Sequence, residues 1–333
     1  MLKIKKPGLL STVQDLGRYG FQKHGVIVSG AMDSLAHRIS NLLVGNEEIH
    51  PTIEFTLLGP VIEFTETTLI SICGATMNAT IDGQSLPLWR PVLIKKGSEL
   101  RIGQCQDGCR AYIAIAGGLN VSSIMNSKST YLRAEIGGFK GRALKPDDEL
   151  KPGQIGSLSK NMIQSLTPNL INSPFTEMEW TVASELIPTH HKKAYIRVTP
   201  GRQYHLFSKD SLDNFFNEPF NITAQSDRMG YRLEGPRLKL QHEEDMISEA
   251  VSFGTIQVPS NGNPIILLAD RQTIGGYPKI AQVATADLPY VAQLKPGDRV
   301  AFKEITVEEA QKLYLKQEWN LQQLKQGIAL KLR

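Results

Sequence analysis

Short runs of alternating or uninterrupted apolar residues recur along the chain, at residues 61–64, 69–73, 111–116, 265–269 and 300–302. A period of two, or a brief apolar run bounded by turn residues, predicts strands. Asp82-Gly83, Lys96-Gly97, Asp107-Gly108, Asn261-Gly262 and Pro296-Gly297 separate them, a cadence that predicts barrels or sandwiches rather than βαβ units. Helices are fewer. Leu35, Ala36, Ile39, Leu42 and Leu43 share one helical face, and Gly45-Asn46 supplies a stop. A second helix is predicted over 209–216, before Pro219. Thr306 and Glu309 form a capping box that opens a third through about Leu324, with an exposed tail after it.

The order of turn and strand signals repeats, which points to a duplicated unit. Pro7-Gly8 answers to Pro200-Gly201, and Gly59-Pro60 to Gly235-Pro236. Asp82-Gly83 answers to Asn261-Gly262, and Lys96-Gly97 to Pro296-Gly297. The changing spacing between partners places extra residues early in the first copy and late in the second. These insertions, residues 12–34 and 269–289, hold the least generic sequence, and loops carry function on a rigid scaffold. The expected division is a first barrel half over 1–156, a linker rich in Ser, Thr, Asn and Pro over 157–193, a second barrel half over 194–305, and a helix and tail over 306–333. The expected fold class is mainly β.

With 333 residues, at roughly 150 residues per domain, two domains are the natural expectation. Apolar residues at 41% and charged residues at 21% are ordinary globular usage. A net charge of +4, with no basic run interleaved with aromatics, argues against nucleic acid. Cys73, Cys105 and Cys109 are too few for a disulfide scaffold. No stretch approaches the ~18 apolar residues of a membrane span, so a cytoplasmic location is expected.

In the first insertion, Arg18 and the segment Ser29-Gly30-Ala31-Met32-Asp33 before the first helix suit capture of a carboxylate or phosphate. The plainer alternative is that Ser29 or Asp33 caps the helix while the glycines turn the chain. In the second, Arg271 and Lys279 could hold an anion, Gln272 could orient an amide, and Tyr277 could donate a proton or stack; Asp287 follows as a weaker candidate. The alternative there is a glycine-rich turn with a surface ion pair. Asp227 and Arg228 read as a structural pair or as one residue facing a cleft. Cys105 and Cys109 flank a hairpin-like Asp-Gly without a second pair to complete a zinc site, and His190-His191 reads as solvated surface. No metal site is indicated. Phosphate loops of the G-x-x-x-x-G-K-[ST] type and G-x-S-x-G nucleophile elbows are absent.

Taken together, TVQDLGR (12–18), SGAMD (29–33), NLLVGN (41–46), AIAGG (114–118), SDRMGYRLEGP (226–236) and LLADRQTIGGYPKIA (267–281) resemble one family. It is the biotin-dependent carboxyltransferase-like family, also called allophanate hydrolase subunit 2 or urea amidolyase-related. Its free-standing bacterial members include the C subunit of ATP-dependent 5-oxoprolinase. The resemblance implies two cyclophilin-like β-barrels with a few short helices and a C-terminal helix. It also implies partners, a KipI-like B component and a LamB/YcsF-like A component. Together with the C component these cleave 5-oxoproline to L-glutamate with ATP hydrolysis. Some members are instead antagonists of a KipI-type inhibitor of the sporulation kinase. An Ala-Met-Lys-Met-like biotin attachment motif does not occur here, so biotin for a carboxyl transfer to a urea-like substrate would arrive on another chain.

Within that family reading, Arg228, Arg271 and Lys279 are expected to stabilise developing negative charge, with Asp33 or Asp287 as base and Gln272 beside them. Arg18, Ser29, Gly30 and Tyr277 are expected to bind substrate. ATP is expected to serve the complex, at a site not recognisable in this sequence.

Overall fold

The computed structural model describes residues 1–187, 195–242, 244 and 246–332. His190 and His191 lie outside the described residues. The chain divides into two compact units. Met1–Arg18, Asp33–Pro188 and Trp319–Arg333 form the first, and Tyr19–Met32 with Thr189–Glu318 form the second. Each has its own apolar core. Most of the first insertion therefore belongs to the second unit, not to the barrel half in which it lies in sequence. Met32, 1% exposed, packs in the second core.

The first unit is built from β1 (Leu2–Lys6), β2 (Leu10–Gln14), β3 (Thr52–Thr56), β4 (Val61–Phe64), β5 (Thr68–Ile81), β6 (Gln84–Ser85), β7 (Val92–Ile94), β8 (Glu99–Ile115), β9 (Glu149–Leu150) and β10 (Phe175–Glu177). They form one sheet, ordered β10-β7-β5-β8-β4-β1-β9, with β2 and β3 joined to it through β8. The long strand β8 pairs with β3, β4 and β5. The turn expected at Asp107-Gly108 is instead an irregularity inside β8. Gly108 has φ +81°, and the register with β5 shifts between Gly74 and Met77. An Asp-Gly step serves a bulge as well as a hairpin, because both need positive φ.

Helix α1 (Ser34–Leu43) begins where the apolar stripe predicts, capped by Asp33, whose Oδ1 accepts the Ala36 N–H at 2.9 Å. Gly45, at φ +74°, follows its end. The proposed linker is not merely a connection. Residues Ser157–Leu166 form α2, which buries Met162 and Leu166, and β10 pairs with β7. Polar composition hid these elements, because each buries only a few side chains.

His37 on α1 is fully buried, with Nδ1 2.9 Å from Thr52 Oγ1 and Nε2 3.1 Å from the Glu48 carbonyl. Burial lowers it from its ordinary value of 6.5 to about 4. Between those values the unfolded chain binds a proton that the folded chain refuses. Stability should therefore be full above pH 6.5 and fall as pH drops towards 4, by about 3 kcal/mol from this group. Urea unfolding of the wild type and His37→Gln between pH 7 and 4 measures it: the variant should show the shallower acid decline, and equal slopes would remove His37 as the cause.

The second unit contains β11 (Ile196–Pro200), β12 (Phe220–Ile222), β13 (Gly230–Glu234), β14 (Glu249–Ala250), β15 (Thr255–Gln257), β16 (Ile265–Leu267), β17 (Ile274–Gly275), β18 (Lys279–Val283), β19 (Arg299–Val300) and β20 (Phe302–Glu304). The main sheet is ordered β19-β12-β13-β16-β15-β18-β11-β20. Its two end strands are separated in sequence by Ala301 alone, whose carbonyl accepts the Ile196 N–H at 2.8 Å. The run expected as a strand at 300–302 is thus a corner that turns the sheet into a nearly closed barrel. Phe215, Phe220 and Phe302 pack inside it, the first and last stacked at 4.5 Å. Outside the sheet, β14 and β17 form a two-stranded ribbon. Helix α3 (Lys209–Asn217) lies where the sequence predicts, and α4 (Leu288–Ala292) follows the second insertion.

Helix α5 runs Val307–Lys331, opened by the expected capping box: Thr306 N–H to Glu309 Oε2 at 2.8 Å and Glu309 N–H to Thr306 Oγ1 at 3.1 Å. The tail expected after Leu324 is largely exposed, but it continues the helix to Lys331 and buries Ile328, because Ala, Leu, Lys and Gln sustain a helix.

The paired glycines have shared physical causes. A Cβ on Gly8 would sit 2.2 Å from the Leu58 carbonyl, and one on Gly201 would sit 2.3 Å from the Lys279 carbonyl, so both mark close backbone approach.

Candidate functional site in the second unit

The motif from Thr12 to Arg18 is a structural tie within the first unit. Asp15 accepts hydrogen bonds from Gly17 N at 2.8 Å, Ser127 Oγ at 2.8 Å, Ser129 Oγ at 2.5 Å and Lys128 N at 2.5 Å. Arg18, fully buried, donates from Nε to the Ile124 carbonyl at 3.1 Å and from Nη2 to the Ser129 carbonyl at 2.9 Å. The fork expected to grip an anionic ligand holds backbone instead. Asp33 is also fully buried; it caps α1, and its N–H donates to the Tyr112 hydroxyl at 2.7 Å. Arg18 and Asp33 are thus each engaged within the first unit, Arg18 with backbone carbonyls and Asp33 as the cap of α1.

Ser29, Gly30 and Arg228 do come together, around Asp270, which was not among the expected site residues. Asp270 accepts from Arg228 Nε at 2.9 Å, from Arg228 Nη2 at 3.2 Å and from Ser29 Oγ at 2.7 Å. Arg228 Nη2 also reaches the Gly30 carbonyl at 2.6 Å. Both charged side chains are only 8% exposed, so this is a buried, two-pronged ion pair. It ties the 19–32 segment to the second barrel. Asp227 accepts the Met229 N–H at 2.8 Å. Arg228 is therefore occupied as a structural cation.

Asp287 is likewise committed. It is fully buried and accepts from Arg197 N at 2.8 Å and Nη2 at 2.5 Å. Both of its oxygens are engaged by one arginine.

The remaining candidates sit on the loop between β16 and β18. Arg271, partly buried, donates from Nη1 to the Leu268 carbonyl at 3.2 Å and from Nε to the Val251 carbonyl at 3.4 Å. No carboxylate among the described residues lies within ion-pair distance of it. Burial pushes its guanidinium below the ordinary value, with Tyr19 and Asp270 opposing that; it remains a cation at neutral pH. Lys279 is buried and satisfied: its Nζ lies 3.5 Å from Glu249 Oε2 and 3.4 Å from the Gly275 and Tyr277 carbonyls. Tyr277 is 45% exposed.

Gly275 faces two amides. A Cβ there would lie 3.0 Å from Gln257 Oε1 and 3.6 Å from Gln272 Nε2. Gln257 is 3% exposed, and its Oε1 is buried without a hydrogen-bond partner among the described residues. An orphaned acceptor in a native core calls for an explanation. With Gln272 it offers one acceptor and one donor at a single spot. Gln272 was expected from its place after a buried strand. Gln257 was not, because nothing in the three-residue strand Thr255–Gln257 marks it.

Among the described residues no cluster of His, Cys, Asp or Glu could hold a metal ion, and no helix is long and apolar enough to cross a membrane. Cys73, Cys105 and Cys109 are buried thiols outside any disulfide.

A family model for the carboxyltransferase domain, subdomain A and B, matches residues 24–304. The C subunit of 5-oxoprolinase from Escherichia coli (strain K12) is 37% identical over 324 residues, 97% of this chain and 97% of its own. Urea amidolyase of Saccharomyces cerevisiae is 34% identical over 328 residues, although the match spans only 17% of that protein. Among solved structures, the Kluyveromyces lactis urea carboxylase aligns with a TM-score of 0.87 at 30% identity, covering 98% of this chain and 29% of that one. With a family model matching most of its length, and relatives aligned almost end to end, the chain belongs to the family of carboxyltransferase domains composed of subdomains A and B.

Proposed function

We propose that the chain is the C subunit of an ATP-dependent 5-oxoprolinase, offering the loop of Arg271, Gln272 and Gly275 to the lactam. The observation that carries this reading is the near end-to-end match to a protein named as the C subunit of 5-oxoprolinase, with 97% coverage on both sides. The urea amidolyase match covers a small part of a much longer chain.

The site chemistry supports the same substrate. A five-membered lactam is a cis amide, presenting its N–H and C=O on one side. Gln257 Oε1 is suited to accept from that N–H and Gln272 Nε2 to donate to that oxygen. Ring opening adds water across the C–N bond and builds negative charge on the carbonyl oxygen. Arg271, a cation without a carboxylate partner among the described residues, supplies the compensating charge where it costs no reorganisation. Lys279 acts as a positioning residue, holding the Gly275 and Tyr277 carbonyls against Glu249.

ATP use is assigned to the assembled complex, with the KipI-like B component and the LamB/YcsF-like A component as partners. Three buried thiols outside any disulfide suit a reducing cytoplasm; burial raises the Cys73 thiol well above its ordinary value. The test is to purify the chain alone and with its KipI-like and LamB/YcsF-like partners, then measure glutamate and ADP formed from 5-oxoproline. Activity is expected only in the complete mixture, and its absence there would sink the reading. A stable complex with the KipI-like chain but no turnover would favour antagonism of a KipI-like inhibitor. Carboxylation of a urea-like substrate from a separate biotin carrier would favour the carboxyltransferase alternative.

A further inference from the structure

The second unit carries a cavity of about 370 Å³, lined by the polar residues Thr223, Gln225, Arg232, Glu234, Asn261 and Asn263 and by apolar neighbours. None of the residues proposed to meet the lactam lines it. Its construction follows from strand register. Asn221 opposes Glu234 and Ile222 opposes Leu233 across β12 and β13, while Arg232 opposes Ile265 across β13 and β16. Continuing those ladders sets Thr223 beside Arg232 and Asn263 beside Glu234.

Arg232 and Glu234 are two residues apart on one strand, so their side chains leave from the same face about 7 Å apart. Both are exposed. Opposite charges so placed commonly meet each other, yet neither side chain has an ion-pair or hydrogen-bond partner among the described residues. The gap between them is edged by Gln225 and Asn263. Thr223 Oγ1, also on the cavity, is buried and has no hydrogen-bond partner among the described residues. Asn261 is already used, its Oδ1 accepting from the Asn263 N–H at 3.0 Å.

From this arrangement we infer that the cavity binds a small zwitterion of the α-amino-acid class. The carboxylate faces Arg232, whose fork matches it, and the ammonium faces Glu234. The amides of Gln225 and Asn263 take the remaining donors and acceptors. A ligand with one charge alone leaves the other cavity charge unanswered. Water already serves such a charge at an exposed site, so a lone anion or cation gains little. The zwitterion answers both within one molecule and orders fewer groups.

The experiment uses the full chain without its partner proteins, so its outcome is independent of whether the lactam reading holds. Binding of glycine, L-alanine and L-glutamate is titrated by ligand-observed NMR or calorimetry, with acetate and methylammonium as single-charge controls. Saturable binding of the amino acids is expected, weakened at least ~10-fold by Arg232→Gln and by Glu234→Gln, with the controls at least ~10-fold weaker than glycine. Both substituted side chains are exposed, and circular dichroism verifies that each variant folds. Absence of saturable binding would overturn the inference. So would wild-type affinity in either variant, or acetate binding as tightly as glycine. Gln225→Leu and Asn263→Leu provide a second measurement, since loss of the amide rim should weaken glycine and leave thermal unfolding unchanged.

Discussion

Alanine in place of Arg271 should cut 5-oxoproline turnover by the assembled complex by on the order of 10²–10³-fold, the usual cost of losing one preorganised donor to a developing oxyanion. The expectation rests on the contrast between this arginine and its neighbours. Arg228 and Arg197 are held by Asp270 and Asp287, and Arg18 is held by two carbonyls in the first unit. Arg271 is positioned by two carbonyls but neutralised by no carboxylate among the described residues, so its charge is available to a ligand. Arg271→Lys should restore part of the rate, since it keeps the charge but loses the planar fork. The readout is glutamate release by complexes of verified composition. Retained turnover in Arg271→Ala would remove the residue from the site.

The second large effect is on stability. Asp270→Ala should destabilise the second unit by about 3–5 kcal/mol, because it strands the Arg228 guanidinium in a site from which water is nearly excluded. Ser29 Oγ loses its acceptor in the same change, loosening the 19–32 segment. Replacing both charges, Arg228→Met with Asp270→Leu, should recover much of that loss, since a buried pair is expensive to desolvate and apolar side chains of similar volume avoid the expense. Urea unfolding, followed by a signal from the second unit, compares the single, the double and the wild type. A cost below about 1 kcal/mol for the single variant, a value ordinary for a surface pair, would show that the pair does not hold the segment.

These two predictions turn on different kinds of legibility. The 269–289 insertion stood out in sequence because a barrel strand does not need Arg, Gln, two glycines and Pro after it. In the structure Arg271 is held by two backbone carbonyls on that loop. Lys279 was named for its charge, but that charge is spent on Glu249, distant in sequence and on the ribbon strand β14. Asp33 and Asp287 were named as bases from residue type and position, before their partners were known. One turned out to be a cap and the other half of an ion pair. Gln257 gave no signal at all: a single glutamine at the end of a short strand becomes notable only when its oxygen is found buried and without a hydrogen-bond partner among the described residues.

Period, turn chemistry and capping are local, and they were sufficient to determine the mainly β character, α1, α3 and the start of α5, and the repeated glycine positions. The family motifs, too, could be recognised from residue order alone. What the tertiary structure decided was which side chains remained free. Charge pairing is settled between residues such as Ser29, Arg228 and Asp270, whose approach depends on closing a barrel. The same is true of the chain's division. The segment from Tyr19 to Met32 lies early in the sequence, yet it folds with the second unit because Met32 finds its core there and Asp270 accepts from Ser29.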